Sequence, residues 1–172
     1  MEFTNNELDI SSLPKGEEAV LTPIDRRYLK VMLLQRAIFF LFVMMASIIA
    51  VAVFEKLQTT SWIAVIVAAL VLTLLVNLRL SYLSFLNKAF AVREHDVIYQ
   101  DGWLVKSLHV FPFNRIQHCS IDSGILERWL GLTTLRIYTA GGNDSDIVIP
   151  GLTAEQSSSL RELIIQRNNL DD

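Results

Sequence analysis

Residues Ala37–Phe54 read AIFFLFVMMASIIAVAVF, and Ser47 is the only polar side chain among them. Eighteen helical residues rise about 27 Å, close to the roughly 30 Å of a bilayer's hydrocarbon core. Val31–Leu34 can lengthen the run. A buried helix of a soluble bundle normally keeps a polar stripe, and none is present here. After the short polar stretch Glu55–Thr60 comes a second run, Trp62–Val76. It continues past Asn77 and Arg79 through Leu78, Leu80, Tyr82, Leu83, Phe85 and Leu86. A helix satisfies its own backbone groups in lipid. The pattern therefore predicts a two-helix transmembrane hairpin over residues 26–87, with spans at about 36–54 and 61–83.

The flanking charges orient this hairpin. Arg26, Arg27, Lys30 and Arg36 precede the first span, and Arg79, Lys88 and Arg93 follow or end the second. The connection carries only Lys56. The positive-inside rule then places both termini in the cytoplasm and the connection outside. Arg26, Arg27, Lys30, Arg36 and Arg79 are expected to anchor the spans at the head groups. Trp62 is the expected anchor on the outer side. Neither span holds a central acid or base, which argues against a proton relay or ion path.

Composition agrees. Of 172 residues, 52% are hydrophobic and 19% charged. Average chains hold roughly 45–50% apolar and about 25% charged residues. The net charge of −3 lacks the basic footprint of a nucleic-acid binder. The single cysteine, Cys119, excludes an intramolecular disulfide and a Cys-rich zinc site. Residues 1–25 hold six acids and Lys15 as their one base, with Pro14, Gly16 and Pro23. They read as a flexible acidic tail and not as a signal peptide, which opens with a basic stretch.

From Lys88 the texture changes to short alternating runs. Strands are expected at Ala89–Arg93, Asp96–Tyr99, Trp103–Phe111, Ile116–Ile121, Thr133–Thr139 and Asp146–Ile149. Gln100-Asp101-Gly102 and Gly141-Gly142-Asn143-Asp144 supply turn chemistry. Pro112 lacks an amide donor and marks a strand start or edge. Gly124–Leu130 has room for one or two helical turns. There Ile125, Leu126, Trp129 and Leu130 are expected to share an apolar face. Thr153-Ala154-Glu155-Gln156 fits a capping box, and Leu160, Leu163, Ile164 and Arg167 follow helical spacing. Six or seven antiparallel strands closed by an amphipathic helix are an α+β plan. Residues 88–169 thus read as a pleckstrin-homology-like (PH-like) barrel or sandwich, capped by a C-terminal helix and cytoplasmic.

Several strings carry a resemblance. Gly102-Trp103-Leu104, Phe111-Pro112-Phe113-Asn114-Arg115-Ile116-Gln117, Gly124–Leu132 and Leu135–Gly142 follow the hairpin in that order. Over about residues 26–168 the chain resembles the YdbS-like family of bacterial membrane proteins, which place a bacterial-type PH domain after two transmembrane helices. Phe111 stands where an aliphatic residue usually precedes the proline. The resemblance implies the bacterial inner membrane as location. It also implies a larger membrane protein with related PH-like domains, or a second copy, as partner.

The residues offer little chemistry. His95, His109 and His118 form no metal-ligand spacing. His118 and Cys119 are adjacent on a strand and point to opposite faces. Gly141-Gly142 lacks the pattern of a phosphate-cradling loop. The expectation is a protein that is not an enzyme, needs no cofactor and binds no metal. Arg115, Arg128, Arg136 and Trp129 are the candidate interaction residues. Residues 88–172 hold eight bases and eleven acids, without the cluster of 4–8 bases that marks polybasic lipid binding. A docking module for another membrane protein is the first expectation, and a lipid-binding module at the cytoplasmic leaflet is the alternative.

Overall fold

The structure is a computed structural model and describes residues 19–139 and 147–168. The Gly141–Asp144 turn and most of the acidic segment lie outside the described residues. The elements run β1 (Thr22–Pro23), α1 (Arg27–Val53), α2 (Thr60–Leu86), β2 (Ala89–Val92), β3 (Asp96–Asp101), β4 (Ser107–Pro112), β5 (Ile116–Asp122), α3 (Ile125–Trp129), β6 (Leu132–Thr139), β7 (Ile147–Thr153) and α4 (Ala154–Asn168).

Both apolar runs are helical, and both helices are 27 residues long. At 1.5 Å per residue each measures about 40 Å. Extended backbone at Phe54 ends α1, and one 3-10 turn, Glu55–Gln58, leads into α2. Each helix is long and apolar enough to cross a membrane, and none of its most apolar 18-residue window is buried. A soluble bundle would need those faces covered. α1 also begins well before the predicted span. Residues 27–36 extend it as a stalk that packs Val31, fully buried, against the domain.

The sheets are β1-β2-β3-β4 and β5-β6-β7, and every pairing is antiparallel. No ladder joins β4 to β5 among the described residues, so the expected barrel is not closed. The two sheets enclose one core that includes Phe90, Val97, Tyr99, Phe113, Leu135, Ile137, Ile149 and Leu152. Strands alternate sides every residue, which brings Val97 and Tyr99 of β3 inward together.

The tail reading is corrected at its end. Thr22 and Pro23 pair with Phe90 and Ala89, and Ile24 is buried in the core. Proline suits this position because β1 is an edge strand. The capping box forms as the sequence predicts. The Thr153 amide donates to Gln156 Oε1 at 3.0 Å, and the Gln156 amide donates to Thr153 Oγ1 at 3.2 Å. α4 then sends Ser157, Leu160 and Ile164 inward, while Leu163 stays at the margin.

Candidate functional site

The foot of α1 is where the helical pair meets the domain, and short-range chemistry builds the joint. Asp25 accepts from the backbone amide of Arg27 at 2.8 Å and from its guanidinium at 2.8 and 3.1 Å. The remaining guanidinium nitrogen donates to the Leu130 carbonyl at 3.1 Å, just beyond the end of α3. The Asp25 amide donates to the Gly151 carbonyl on β7 at 3.0 Å. Arg27, expected as a membrane anchor, is thus taken up in holding α3 and β7 against α1. The same contact holds the Asp25 carboxyl below its usual range. A depressed carboxylate pKa adds stability above its unfolded value, near 4, and loses it as pH falls through the folded value. Asp25→Asn is therefore expected to flatten part of the loss of stability below about pH 4. The effect is small because the pair is solvent-exposed. Unfolding of wild type and variant across pH 5 to 3 (roughly the carboxylate range) checks this.

Beside the joint lies a cleft of about 940 Å³ between α1, the end of β3 and the β5–α3 turn. Tyr28, Gln35, Lys88, Tyr99, Asp101 and Arg136 are among its lining residues. Lys88 Nζ donates to the Tyr99 hydroxyl at 3.2 Å. Burial lowers the Lys88 pKa, and the Asp101 charge opposes that shift. Burial also raises the Tyr99 and Tyr28 phenols. The cleft is therefore mixed in charge.

The arginine candidates do not form one patch. Arg136 Nε pairs with Asp122 Oδ2 at 2.6 Å, at one end of β5. Arg115 is exposed at the other end, where the 3-10 turn Phe113–Arg115 enters β5. Six strand residues separate those ends by about 20 Å. Arg128 is exposed on α3. Neither Arg115 nor Arg128 has an ion-pair partner among the described residues. Arg26, Lys30, Arg36 and Arg79 are exposed along the helices, and Trp62 is exposed in the first turn of α2.

α3 departs from its expected single apolar face. Leu126 and Leu130 are half-buried, whereas Ile125 is 88% and Trp129 81% exposed. The i, i+4 spacing makes two separate pairs, one facing in and one out. Hydrogen bonds fix the helix rigidly: Glu127 accepts from the Gly124 amide at 2.9 Å and from the Thr134 hydroxyl at 2.7 Å.

Burial pushes the Cys119 thiol up to about 11, away from the reactive thiolate. His118 stacks on Tyr138 with ring centres 4.2 Å apart. Among the described residues no three His, Cys, Asp or Glu side chains group as a metal site. In the sequence Lys88 reads only as an orienting charge, and Tyr99, Asp25 and Tyr28 are not among the candidate site residues. Strand register brings the first two together, since Phe90 pairs with Tyr99 and Ala89 with Gln100.

These features define a sheet-rich PH-like module carried on two apolar helices. The chain belongs to the bacterial PH-domain family, whose pattern matches residues 37–168. Membership suggests a protein-interaction or lipid-binding module. Comparisons with curated proteins and with solved structures find no match.

Proposed function

We propose that this protein is a non-enzymatic docking module of a bacterial inner membrane. In this reading α1 and α2 cross the bilayer twice, both termini are cytoplasmic, and the PH-like domain presents a contact surface to another membrane protein. The carrying observation is the exposed Ile125–Trp129 ridge of α3. Arg27 ties that helix to the foot of α1, which supports an approach by a protein that shares the same membrane. Large aromatic side chains with arginine beside them are the usual anchors of such contacts, and Arg128 supplies the charge. The YdbS-like resemblance gives the partner its kind: a larger membrane protein with related PH-like domains, or a second copy.

A lipid-binding reading has one observation in its favour. The half-buried Lys88 sits in a mixed-charge cleft beside the stalk of α1, where a lipid head group could enter.

Tagged full-length protein, recovered from its native membrane in mild detergent, distinguishes the two. A stoichiometric membrane partner should co-purify, and Trp129→Ala should lower its recovery about tenfold or more, the scale of losing an interface aromatic. Recovery of the protein alone with one enriched lipid class would favour the lipid reading.

A further inference from the structure

The β3–β4 connection was expected to be part of a strand beginning at Trp103, but pairing resumes only at Ser107. Between them Gly102–Lys106 makes a tight turn. Gly102 has φ +103°, and a Cβ there would lie 1.9 Å from the Val105 carbonyl oxygen, so the turn closes only around glycine. It displays Trp103, Leu104 and Val105, which are 49%, 76% and 70% exposed. Three adjacent exposed apolar side chains on a rigid turn are unusual for a surface facing water.

The turn's position says what covers it. β2 leaves the end of α2, and β3 runs back beside it, pairing Gln100 with Ala89. The Gln100 side-chain Nε2 donates to the Asn87 carbonyl at 3.2 Å, one residue beyond α2. Asp101 and Gln35 line the same cleft, and Arg36 follows Gln35. The turn therefore lies at the helical end of the domain, beside both helix stalks. Its Gly-Trp-Leu-Val-Lys sequence carries no acid. A tryptophan, two aliphatic residues and a lysine form the composition that partitions into the head-group boundary.

We propose that the Trp103–Val105 turn dips into the cytoplasmic leaflet as a third bilayer contact, with Lys106 among the head groups. The inference rests on the reading that α1 and α2 cross the bilayer. It commits the turn to lipid rather than to a protein partner, which the α3 ridge serves.

Tryptophan fluorescence of the full chain in vesicles with brominated acyl chains tests it. The chain contains Trp62, Trp103 and Trp129. Trp62→Phe with Trp129→Phe leaves Trp103 as sole reporter, and Trp103→Phe with Trp129→Phe leaves Trp62. Both reporters should shift to the blue and lose emission to bromolipid, while aqueous iodide quenches neither strongly. Loss at Trp62 with Trp103 quenched only by iodide would overturn the turn's insertion and leave the two spans standing. No bromolipid loss at either residue would overturn the spans and this contact together. A nitroxide on Leu104→Cys, with Cys119→Ser, gives an independent reading. Greater collision with oxygen than with an aqueous nickel chelate is expected, and the reverse would overturn the proposal.

Discussion

Replacing Gly151 with alanine is expected to destabilise the domain by about 2–4 kcal/mol, through left-handed backbone strain and overpacking together. Gly151 has φ +68°, and a Cβ there would stand 2.7 Å from Tyr28 Cβ and 2.8 Å from Cγ. Those atoms lie at the root of a side chain on α1, so rotating the ring cannot clear them. The two causes separate in a double-mutant cycle. Tyr28→Gly removes Cβ together with the ring, and so the collision, but leaves the strained backbone, so Gly151→Ala made in that background should cost only about 1–2 kcal/mol. Denaturant unfolding of the detergent-solubilised protein reads all four corners. A loss for Gly151→Ala of only about 1–2 kcal/mol in the wild-type background, the strain alone, would mean that α1 does not seat on β7.

Leu135→Ala should cost a similar or larger amount, about 2–5 kcal/mol. Leu135 is fully buried on β6, the middle strand of its sheet, between Ile121 on β5 and Ile149 on β7. Neighbours on both sides hold the backbone in place, so the emptied space cannot collapse freely. Small domains hold only about 5–15 kcal/mol in total, so this variant should show a large fall in its unfolding midpoint. Leu104→Ala removes the same atoms from the exposed β3–β4 turn and should stay within about 0.5 kcal/mol in detergent. Equal losses for the two leucines would contradict the core assignment.

Legibility in the sequence followed the range of the interactions. Thr153 and Gln156 are three residues apart, and their reciprocal hydrogen bonds were readable because a helix start is local chemistry. Ala37–Phe54 was readable for the same reason, since its apolar character needs no partner to be recognised. Thr22 and Pro23 gave no signal because their partners, Phe90 and Ala89, lie beyond the whole helical hairpin. Trp103–Val105 looked like a strand because alternation is blind to a glycine that folds the chain on itself. The exposure of Trp129 was hidden by spacing: i, i+4 neighbours share a face, but the pattern does not say whether Leu126 with Leu130 or Ile125 with Trp129 turns inward. The joint of Asp25, Arg27 and Leu130 joins segments distant in sequence, and only the folded chain brings them together.

The short strand β1 changes what kind of tether the helices are. The chain contributes a strand and the buried Ile24 to the domain before it enters α1, and returns from α2 straight into β2 of the same sheet. The domain is therefore held at both ends of its anchor and cannot swivel as a bead on a single string does. A freely tethered head must find its target through every orientation, and that lost rotational freedom weighs against each binding event. With both helices in a bilayer, as proposed above, the facing is fixed at folding and encounters would reduce to drift within a plane. Rotating or tilting either helix must also turn the sheet, making the hairpin a lever as well as an anchor.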